Sequence, residues 1–488
     1  MEKPPFRVII VGGSIAGLTL GSCLARAGID FVILEKANEV APQVGASVGL
    51  FPHGSRILDQ LGLYGEVEKH IEPMVKTVMI YPNGFSSTSC WGRIIYERFG
   101  LPFAFLERQK LLDILYAGFP DQTKIHLRTR VVSVTGPGDN GSVTVTADNG
   151  KTYTGDLVVG ADGVHSKVRS EMWKAANRLG KGVPAKEQQA ISTEYFCVFG
   201  ISPPVKGLNP GEQVAANGDG AVVFTVHGKN GRIYWFLIEK LDRQYIYPDN
   251  PRFGPEDAAS CAERFRNYPL CNGVTFGQLW DTREVATIAP SEEGLLETWH
   301  YDRMVLIGDS IHKMTPNLGQ GANMAIEDAA KLATLIQALV HGPKVDDQKA
   351  IPKAEAIEAM LQEYQASRYP RLRSTYNMSR AMVRAQTSDS VFKILLGRYF
   401  LPYATSFIAY MNSQLVANGE VCGFLPLRFA GDAWDQYRSR TWGEWISESV
   451  GVREALVLVF VVAMGMVVQN FWPLSPFHAQ RDIRFTLP

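Results

Sequence analysis

The stretch Phe6–Glu35 reads FRVIIVGGSIAGLTLGSCLARAGIDFVILE. Phe6–Val11 is apolar apart from one arginine, which is the pattern of a buried strand. Gly12–Gly17 is a glycine-rich turn, Leu18–Ala27 has the pattern of a helix, and Phe31–Leu34 is a second apolar strand. A strand, a helix and a strand joined so closely are the unit of a parallel sheet. The stretch therefore predicts an α/β domain.

The glycine turn and the acid that follows it indicate how this domain is used. Gly12 allows a tight turn, Gly17 allows close packing of helix against strand, and the helix N-terminus offers N–H groups to a pyrophosphate. Glu35 ends the second strand, where it can accept hydrogen bonds from a ribose diol. Gly13 completes the turn, and Ser14 stands where the motif usually has its second glycine. We therefore predict a Rossmann-type dinucleotide-binding domain, with NAD(P) and FAD both open; the alternative is a surface turn with a solvated glutamate.

Two further motifs follow apolar strands. Asp162–Arg169 comes after Leu157–Val159, and Gly308-Asp309 comes after Val305–Ile307. An aspartate at the end of a strand can bind a polyol hydroxyl, and the Gly-Gln-Gly-Ala turn at 319–322 opens a helix whose N–H groups can meet an anionic group. A simple dehydrogenase needs no second turn of this kind.

The three motifs, in this order, resemble the class A flavoprotein monooxygenases of the para-hydroxybenzoate hydroxylase type, over roughly Phe6–Val340. The resemblance implies that the first motif binds the ADP half of FAD, Asp309 the ribityl chain, and residues 319–322 the flavin ring, while Asp162 and Arg169 support both FAD and NADPH. The cofactor-binding residues that it implies are Gly12, Gly13, Gly17, Glu35, Gly49, Arg108, Asp162, Arg169, Asp309, Gly319, Gly321 and Ala322. From the residues alone, Arg108 would be a surface charge at the start of a helix.

A finer resemblance is to fungal FAD-dependent monooxygenases of indole-diterpene and meroterpenoid biosynthesis. It rests on Val11–Leu18, on Phe51–Leu63 and on an apolar C-terminal extension, with His53 where an asparagine is expected. It implies that NADPH and O₂ are used to epoxidise an olefin of a large apolar prenylated substrate, before a terpene cyclase acts. An aromatic or aliphatic hydroxylase, a geranylgeranyl-reductase-like flavoenzyme and a catalytically silent flavin-binding membrane protein are the alternatives.

A second domain is predicted from three strands that alternate at period two: Cys197–Ile201, Ala221–Val226 and Ile233–Ile238. They favour an antiparallel sheet that supplies an apolar substrate pocket. The candidates for that pocket are Tyr195, Phe196, Phe224, Tyr234 and Phe236. Tyr195 is the candidate catalytic residue, as a polar contact near the flavin; the alternative is a core tyrosine.

The fold class expected is therefore α/β: a Rossmann-type FAD-binding domain with a parallel sheet, an inserted antiparallel-sheet domain and a C-terminal helical, membrane-associated region. The predicted division places FAD binding at 1–185 and 286–345, the substrate sheet at 186–285, a helical region at 346–450 and a hydrophobic membrane segment at 451–475. Gly321–Val340 and Ala354–Arg384 are the predicted long helices, and Pro370 is expected to kink or break the second.

Composition and the C-terminus bear on the partners. The 49 basic and 49 acidic residues argue against a nucleic-acid partner, and the six scattered cysteines show no metal-site spacing and favour a cytosol-facing protein. Ala455–Trp472 is almost wholly apolar and close to membrane-spanning length. We expect it to attach the protein to a membrane, that of the endoplasmic reticulum, with the catalytic body facing the cytosol; the alternatives are a buried core helix and a helix that dips into one leaflet. Five arginines, at 368, 371, 373, 380 and 384, fit either a membrane-facing platform or a basic helix packed on the body.

Overall fold

The computed structural model describes residues 6–42, 45–81, 84–136, 141–178, 182–218, 220–342, 352–387 and 404–439. Within them the strands are β1 (Arg7–Val11), β2 (Asp30–Leu34), β3 (Ser47–Leu50), β4 (Lys76–Ile80), β5 (Ser86–Ser89), β6 (Ala104–Glu107), β7 (Ile125–His126), β8 (Val131–Thr135), β9 (Val143–Ala147), β10 (Thr152–Gly155), β11 (Leu157–Gly160), β12 (Ser192–Ser202), β13 (Glu212–Asn217), β14 (Ala221–His227), β15 (Ile233–Ile246), β16 (Val285–Leu295), β17 (His300–Tyr301), β18 (Met304–Leu306) and β19 (His312–Lys313). The helices are α1 (Ile15–Arg26), α2 (Pro52–Gln60), α3 (Tyr64–Glu68), α4 (Trp91–Phe99), α5 (Arg108–Ala117), α6 (Lys167–Arg178), α7 (Ala185–Gln188), α8 (Pro255–Arg264), α9 (Phe276–Asp281), α10 (Gly321–His341), α11 (Ala354–Gln386), α12 (Thr405–Ala417) and α13 (Asp432–Ser439).

The first sheet has six strands in the order β17-β18-β11-β1-β2-β7. All neighbours run parallel except β17 and β18, and Val8 of the central strand pairs with Leu157 on one side and Phe31 on the other. The strand interiors are fully buried, as expected for a parallel sheet covered on both faces. The predicted α/β fold with a parallel sheet is confirmed, and the carboxyl ends of β18, β11, β1 and β2 lie side by side at one edge.

The second sheet has eight strands in the order β19-β16-β12-β15-β14-β13-β4-β5. Its neighbours are antiparallel apart from β13 and β4, so the sheet is mixed. The three predicted strands lie within the longer β12, β14 and β15. The sheet also takes β4, β5 and β19, which lie outside the segment 186–285, and β16, of which only Val285 falls within that segment. The division of the chain into domains remains a prediction.

Two predicted strands are each divided in the structure. The pattern over 124–134 gives β7 and β8, because Arg128 between them has φ 50° and donates its N–H to the carbonyl of Ala37. The pattern over 152–159 gives β10 and β11, which belong to different sheets. Asp156 lies at that junction, where its carboxylate accepts a hydrogen bond from the Arg7 N–H at 2.8 Å. Local pairing therefore overrode the apolar pattern at both places.

Helix α11 continues without a break through Pro370. Buried ion pairs to α10 flank the proline: Arg368 bonds Glu327 at 2.5 Å and Asp328 at 2.9 Å, and Arg371 bonds Glu327 at 2.6 Å. These bonds fix the helix on both sides of the position where one backbone hydrogen bond is lost.

The same helix decides between the two interpretations of the arginines. Arg380 and Arg384 both bond the carboxylate of Glu293, at 3.1 and 2.8 Å. Together with Arg368 and Arg371, four of the five arginines thus pair with carboxylates of the protein body, while Arg373 is exposed. The described residues support the packed-helix alternative.

The part of the chain described above holds no helix that is both long and apolar enough to cross a bilayer. The predicted membrane segment 451–475, with the apolar run Ala455–Trp472, lies outside the described residues.

Candidate active site

A cavity of about 740 Å³ lies at the carboxyl edge of the parallel sheet. Gly12, Glu35, Asp162 and Asp309 each follow one of the four neighbouring strands β1, β2, β11 and β18, so the topology brings them together. The predicted cofactor-binding residues that line the cavity are Gly12, Gly13, Glu35, Gly49, Arg108, Asp162, Asp309, Gly319, Gly321 and Ala322. Gly17 and Arg169, which were also predicted, lie behind its wall.

The glycines of the first turn are required by packing. Gly12 has φ +106°, and a Cβ there would lie 2.4 Å from the carbonyl oxygen of Ala161. A Cβ at Gly17 would lie 1.9 Å from the carbonyl oxygen of Gly12. The first glycine thus lets β1 approach β11, and the second lets α1 start directly on the turn, which leaves the N-terminal N–H groups of α1 facing the cavity.

Glu35 and Arg108 reach the start of α1 from two sides. The Glu35 carboxylate accepts hydrogen bonds from the N–H of Gly13 at 2.6 Å and of Ala37 at 2.8 Å. Each of its oxygens retains a further lone pair for a ligand hydroxyl. Arg108 donates to the Ser14 hydroxyl at 2.8 Å. The serine that replaces the usual glycine therefore anchors Arg108 at the cavity, and Arg108 is not a solvent-facing charge.

Asp162 and Arg169 hold the loop between β11 and α6. The Asp162 carboxylate accepts bonds from the Ser166 hydroxyl at 2.5 Å and from the N–H groups of Lys167 at 2.7 Å and Val168 at 3.1 Å. Burial raises the pKa of Asp162. The buried Arg169 donates to the carbonyl of Ser310 at 2.8 Å and so ties this loop to the turn that carries Asp309. Both residues shape the cavity wall, and Arg169 does so from behind it.

Two side chains of the third motif act in ways that the sequence did not predict. Lys313 donates to the Asp309 carboxylate at 2.5 Å and lines the cavity. Asn323 donates to the carbonyls of Gly49 and Gly319, both at 2.9 Å, and accepts the N–H of Phe51 at 3.0 Å. Two features of the sequence could have indicated these roles. Lys313 is a basic residue four positions after Asp309, and Asn323 is an amide in the first turn of α10.

The residues present fit a dinucleotide that carries a polyol chain. Ser47 Oγ and Gln320 Nε2 are buried polar atoms that have no hydrogen-bond partner within the described residues, and both residues line the cavity. A Cβ at Gly321 would have only Asp309 Oδ1 within 4 Å, at 4.0 Å, so a side chain there would take up cavity space. The N-termini of α1 and α10 supply N–H groups at two points, as a pyrophosphate and a flavin ring require. These are the features expected of an FAD site.

Next to the glycine turn of α10 the cavity meets an aromatic cluster. A Cβ at Gly319 would lie 3.8 Å from the Phe51 ring and 3.9 Å from the Phe105 ring, and Phe236 of β15 lines the cavity itself. Phe51 and Phe103 have ring centroids 4.3 Å apart. The half-buried members of the cluster include Trp91, Phe199, Phe224, Phe236, Phe407 and Met411. They come from the second sheet and from α4 and α12, and they offer an apolar surface beside the predicted flavin position.

The other predicted pocket residues have different places. Phe224 and Tyr234 belong to this aromatic cluster, whereas Phe196 packs on the opposite face of the sheet against Phe253. Tyr195, the candidate catalytic residue, is fully buried among Cys197, Val222, Ile238 and Val383 and does not line the cavity. The guanidinium of Arg384 lies 5.7 Å from its ring centroid. The structure thus places Tyr195 in the core, as the alternative interpretation held.

Comparisons with known proteins agree with this site. A family model described as "FAD binding domain" matches residues 6–190 and 274–379. The FAD-dependent monooxygenase ptmM of Penicillium ochrochloron is 52% identical over 426 residues, which cover 87% of this chain and 99% of the relative. The FAD-dependent monooxygenase janM of Penicillium janthinellum is 52% identical over 439 residues, 90% of each chain. The structure of Klebsiella pneumoniae HpxO complexed with FAD and uric acid has a TM-score of 0.68 at 21% identity, and covers 85% of this chain and 97% of that one.

Proposed function

Because the chain belongs to the FAD-dependent monooxygenases that carry this FAD-binding domain, we propose that it uses NADPH to epoxidise an olefin of a large prenylated terpenoid or indole-diterpene intermediate in secondary metabolism. Family membership confirms the prediction of an oxidoreductase that inserts oxygen. The proposal adds that NADPH is the reductant, that the substrate is an olefin and that the product is an epoxide.

The observation that carries the proposal is the continuity of the cofactor cavity with the aromatic cluster through Phe236. An apolar prenyl chain would bury its surface on Phe199, Phe224 and Phe407 and so gain about 25 cal/mol per Å² removed from water. The same burial would keep water away from the reacting oxygen. The position next to Gly319 would bring an olefin close to the flavin.

Epoxidation of an olefin requires no acid or base from a protein side chain. When bound, FAD takes two electrons from NADPH and activates O₂, so that olefin, O₂, NADPH and a proton give epoxide, water and NADP⁺. An olefin is already nucleophilic and needs no side-chain base, unlike a phenol. The protein would orient FAD through Glu35 and Asp309, hold the turn at 319–322 through Asn323, and exclude water with the aromatic cluster.

Basic side chains in the cavity wall suit the phosphates of FAD or NADPH. Lys36, Arg130 and Lys167 line the cavity on the side of Glu35 and Asp162. Cations in a cleft raise the local concentration of anionic ligands and the rate of association. This supports NADPH as the reductant, and the initial rate with NADPH should exceed the rate with NADH.

We extend the proposal to the setting of the enzyme. The apolar run Ala455–Trp472 would attach the protein to the membrane of the endoplasmic reticulum with the catalytic body in the cytosol, where an apolar substrate partitions. A terpene cyclase would then consume the epoxide by protonating it. Deletion of the chain from residue 453 onward should release the protein into the supernatant after ultracentrifugation; pelleting of the shortened protein would contradict the attachment.

The decisive experiment compares a prenylated substrate with its saturated analogue. An epoxidase should convert the olefin to a product heavier by one oxygen atom and leave the saturated chain unchanged. Oxygen insertion into the saturated chain would mark a hydroxylase and contradict the epoxidation proposal. A product heavier by two hydrogen atoms would mark a reductase.

A further inference from the structure

Gln320 stands in the turn that precedes α10, is almost fully buried, and lines the cofactor cavity. Its Oε1 lies 3.1 Å from His53 Nε2, and its Nε2 has no partner within the described residues. His53, in α2, is fully buried and does not line the cavity. The side chain of Gln320 therefore connects a buried imidazole to the cavity.

Burial sets the protonation state of His53, and a carboxylate sets its tautomer. Burial lowers the pKa of His53 to about 3, so the imidazole is neutral at physiological pH. Its Nε2 lies 3.1 Å from Gln320 Oε1 and 3.7 Å from Glu327 Oε1, while its Nδ1 has no partner in the described part of the chain. A proton on Nε2 points at these two acceptor oxygens and is stabilised by both. A proton on Nδ1 would have no acceptor, and the Nε2 lone pair would then face the Glu327 carboxylate. The Nε2–H tautomer is therefore favoured.

Glu327 is fixed as an acceptor. Arg371 donates to both of its oxygens, at 2.8 and 2.6 Å, and Arg368 donates at 2.5 Å. Burial alone would raise the pKa of Glu327, but the two guanidinium groups bring it down to about 2. The carboxylate thus stays ionised and holds the tautomer of His53.

The tautomer of His53 determines the orientation of the Gln320 amide. With Nε2–H of His53 as donor, the atom of Gln320 that faces it must be the carbonyl oxygen, so the NH₂ group takes the other position. That NH₂ group is buried and unpartnered in the described residues, a state that is unfavourable unless a ligand accepts its hydrogen bond.

We propose that His53 is a positioning residue that holds the Gln320 amide with its NH₂ group in the cavity as a hydrogen-bond donor to the bound FAD. This inference rests on FAD occupying the cavity and is independent of the substrate. Glu327 sets the imidazole tautomer, the imidazole sets the amide, and the amide binds the cofactor. The histidine at 53, where an asparagine is expected, thereby acquires a function through Gln320.

The test is a double-mutant cycle on FAD affinity, measured by quenching of flavin fluorescence as apoprotein is titrated. Loss of one neutral hydrogen bond should raise the Kd for FAD about five- to tenfold in Gln320→Met and in His53→Phe. In the double variant the second substitution should add less than about twofold. The visible absorption spectrum of the bound flavin should change in both single variants, and His53→Gln, which keeps an NH₂ donor, should restore both readouts.

A matched control is His227→Phe, because His227 is also fully buried, with ring nitrogens 3.0 Å from Thr225 Oγ1 and the carbonyl of Asn209, but lies away from the cavity. It should leave the Kd for FAD unchanged. The proposal would be overturned if His53→Phe weakened FAD binding equally in the wild type and in Gln320→Met. It would also be overturned if folded Gln320→Met bound FAD with an unchanged Kd. The second result does not depend on whether His53→Phe folds. Failure of epoxidation with these FAD results intact would contradict only the proposed function.

Discussion

The ammonium group of Lys313 lies 2.5 Å from a carboxylate oxygen of Asp309, in the wall of the cofactor cavity. Burial alone would lower the pKa of Lys313, but the Asp309 carboxylate raises it, so the ammonium group keeps its charge. The ion pair presets the carboxylate beside the N-terminus of α10. Asp309 therefore accepts ligand hydroxyls without first having to be ordered.

Replacement of Asp309 tests its assignment to the ribityl chain. Asp309→Ala removes the acceptor and leaves Lys313 without its carboxylate, so the protein should lose FAD during gel filtration. Asp309→Asn keeps a carbonyl acceptor but no charge, and should retain FAD more weakly than the wild type. Absorbance of the protein peak at 450 nm measures both. Full retention of FAD by Asp309→Ala would contradict the assignment of Asp309 to the ribityl chain.

The close packing of Gly17 predicts a large effect from a single methyl group. A Cβ in Gly17→Ala would overlap the carbonyl oxygen of Gly12, at 1.9 Å, and must displace α1. We expect a loss of about 1–3 kcal/mol or more of unfolding free energy and poor FAD retention. Gly65→Ala is the control, because a Cβ in α3 meets nothing within 4 Å; it should be neutral or slightly stabilising. Equal melting temperatures for the two variants would contradict the packing argument.

The buried ion pairs between α10 and α11 should dominate the stability of this part of the fold. Arg368 is fully buried and bonds both Glu327 and Asp328. Arg368→Met removes one cation from two buried carboxylates, which keep Arg371 and His312 as partners. It should lower the unfolding free energy by about 3 kcal/mol, the low end for a broken buried ion pair. Arg373→Met, an exposed position on the same helix, should change it by less than about 0.5 kcal/mol. Urea denaturation of both variants checks the difference.

Acid should destabilise the protein through its buried neutral histidines. Burial lowers the pKa of His227 to about 4 and that of His53 to about 3. The unfolded state takes up these protons near pH 6.5, whereas the folded state does not, so stability falls as the pH drops below 6.5. Between pH 6 and 5 each histidine lowers the free energy of unfolding by about 1.2 kcal/mol.

Urea midpoints measured from pH 7.5 to 5 in wild type and His227→Phe isolate one of these groups. Between pH 6 and 5 the unfolding free energy of the variant should fall less steeply with decreasing pH than that of the wild type. The difference in slope should correspond to the uptake of about one proton on unfolding. The buried carboxylate of Glu327, with a pKa of about 2, cannot mimic this result, because its unfolded counterpart takes up a proton only near pH 4.5. An unchanged slope would mean that His227 is not held neutral.

The aromatic cluster should keep the reaction coupled. Phe236→Ala opens the wall between cavity and cluster to water, so NADPH should be consumed with more release of H₂O₂ and less epoxide. Phe196→Ala is the matched control on the opposite face of the sheet; it should lower stability but leave the ratio of epoxide to NADPH unchanged. An unaltered ratio in Phe236→Ala would remove Phe236 from the substrate site.

The sequence predicted those parts of the site that backbone geometry dictates. Gly12, Gly17 and Glu35 follow strand ends at fixed spacings, and the parallel sheet then gathers them with Asp309 at one edge. Spacing cannot show contacts between distant segments, which is why the Ser14–Arg108 bond was not foreseen.

Other side chains depended on tertiary context. The spacing of four residues between Asp309 and Lys313 allows their ion pair but does not require it. Helix α11 continues through Pro370 because arginines on either side bond a different helix. Tyr195 lies on a strand whose alternation the sequence showed, but the face of the sheet that meets the cavity depends on how the two sheets pack. Sequence pattern fixes which residues share a face, whereas packing decides what that face meets.

Isotope labelling shows whether this FAD-dependent enzyme transfers one oxygen atom from O₂ to an olefin. The purified protein is incubated with NADPH, a prenylated substrate and ¹⁸O₂, and the product mass is read. We expect one ¹⁸O atom in an epoxide and formation of one NADP⁺ per product. A reduced product without label, or an oxygen drawn from water, would contradict it.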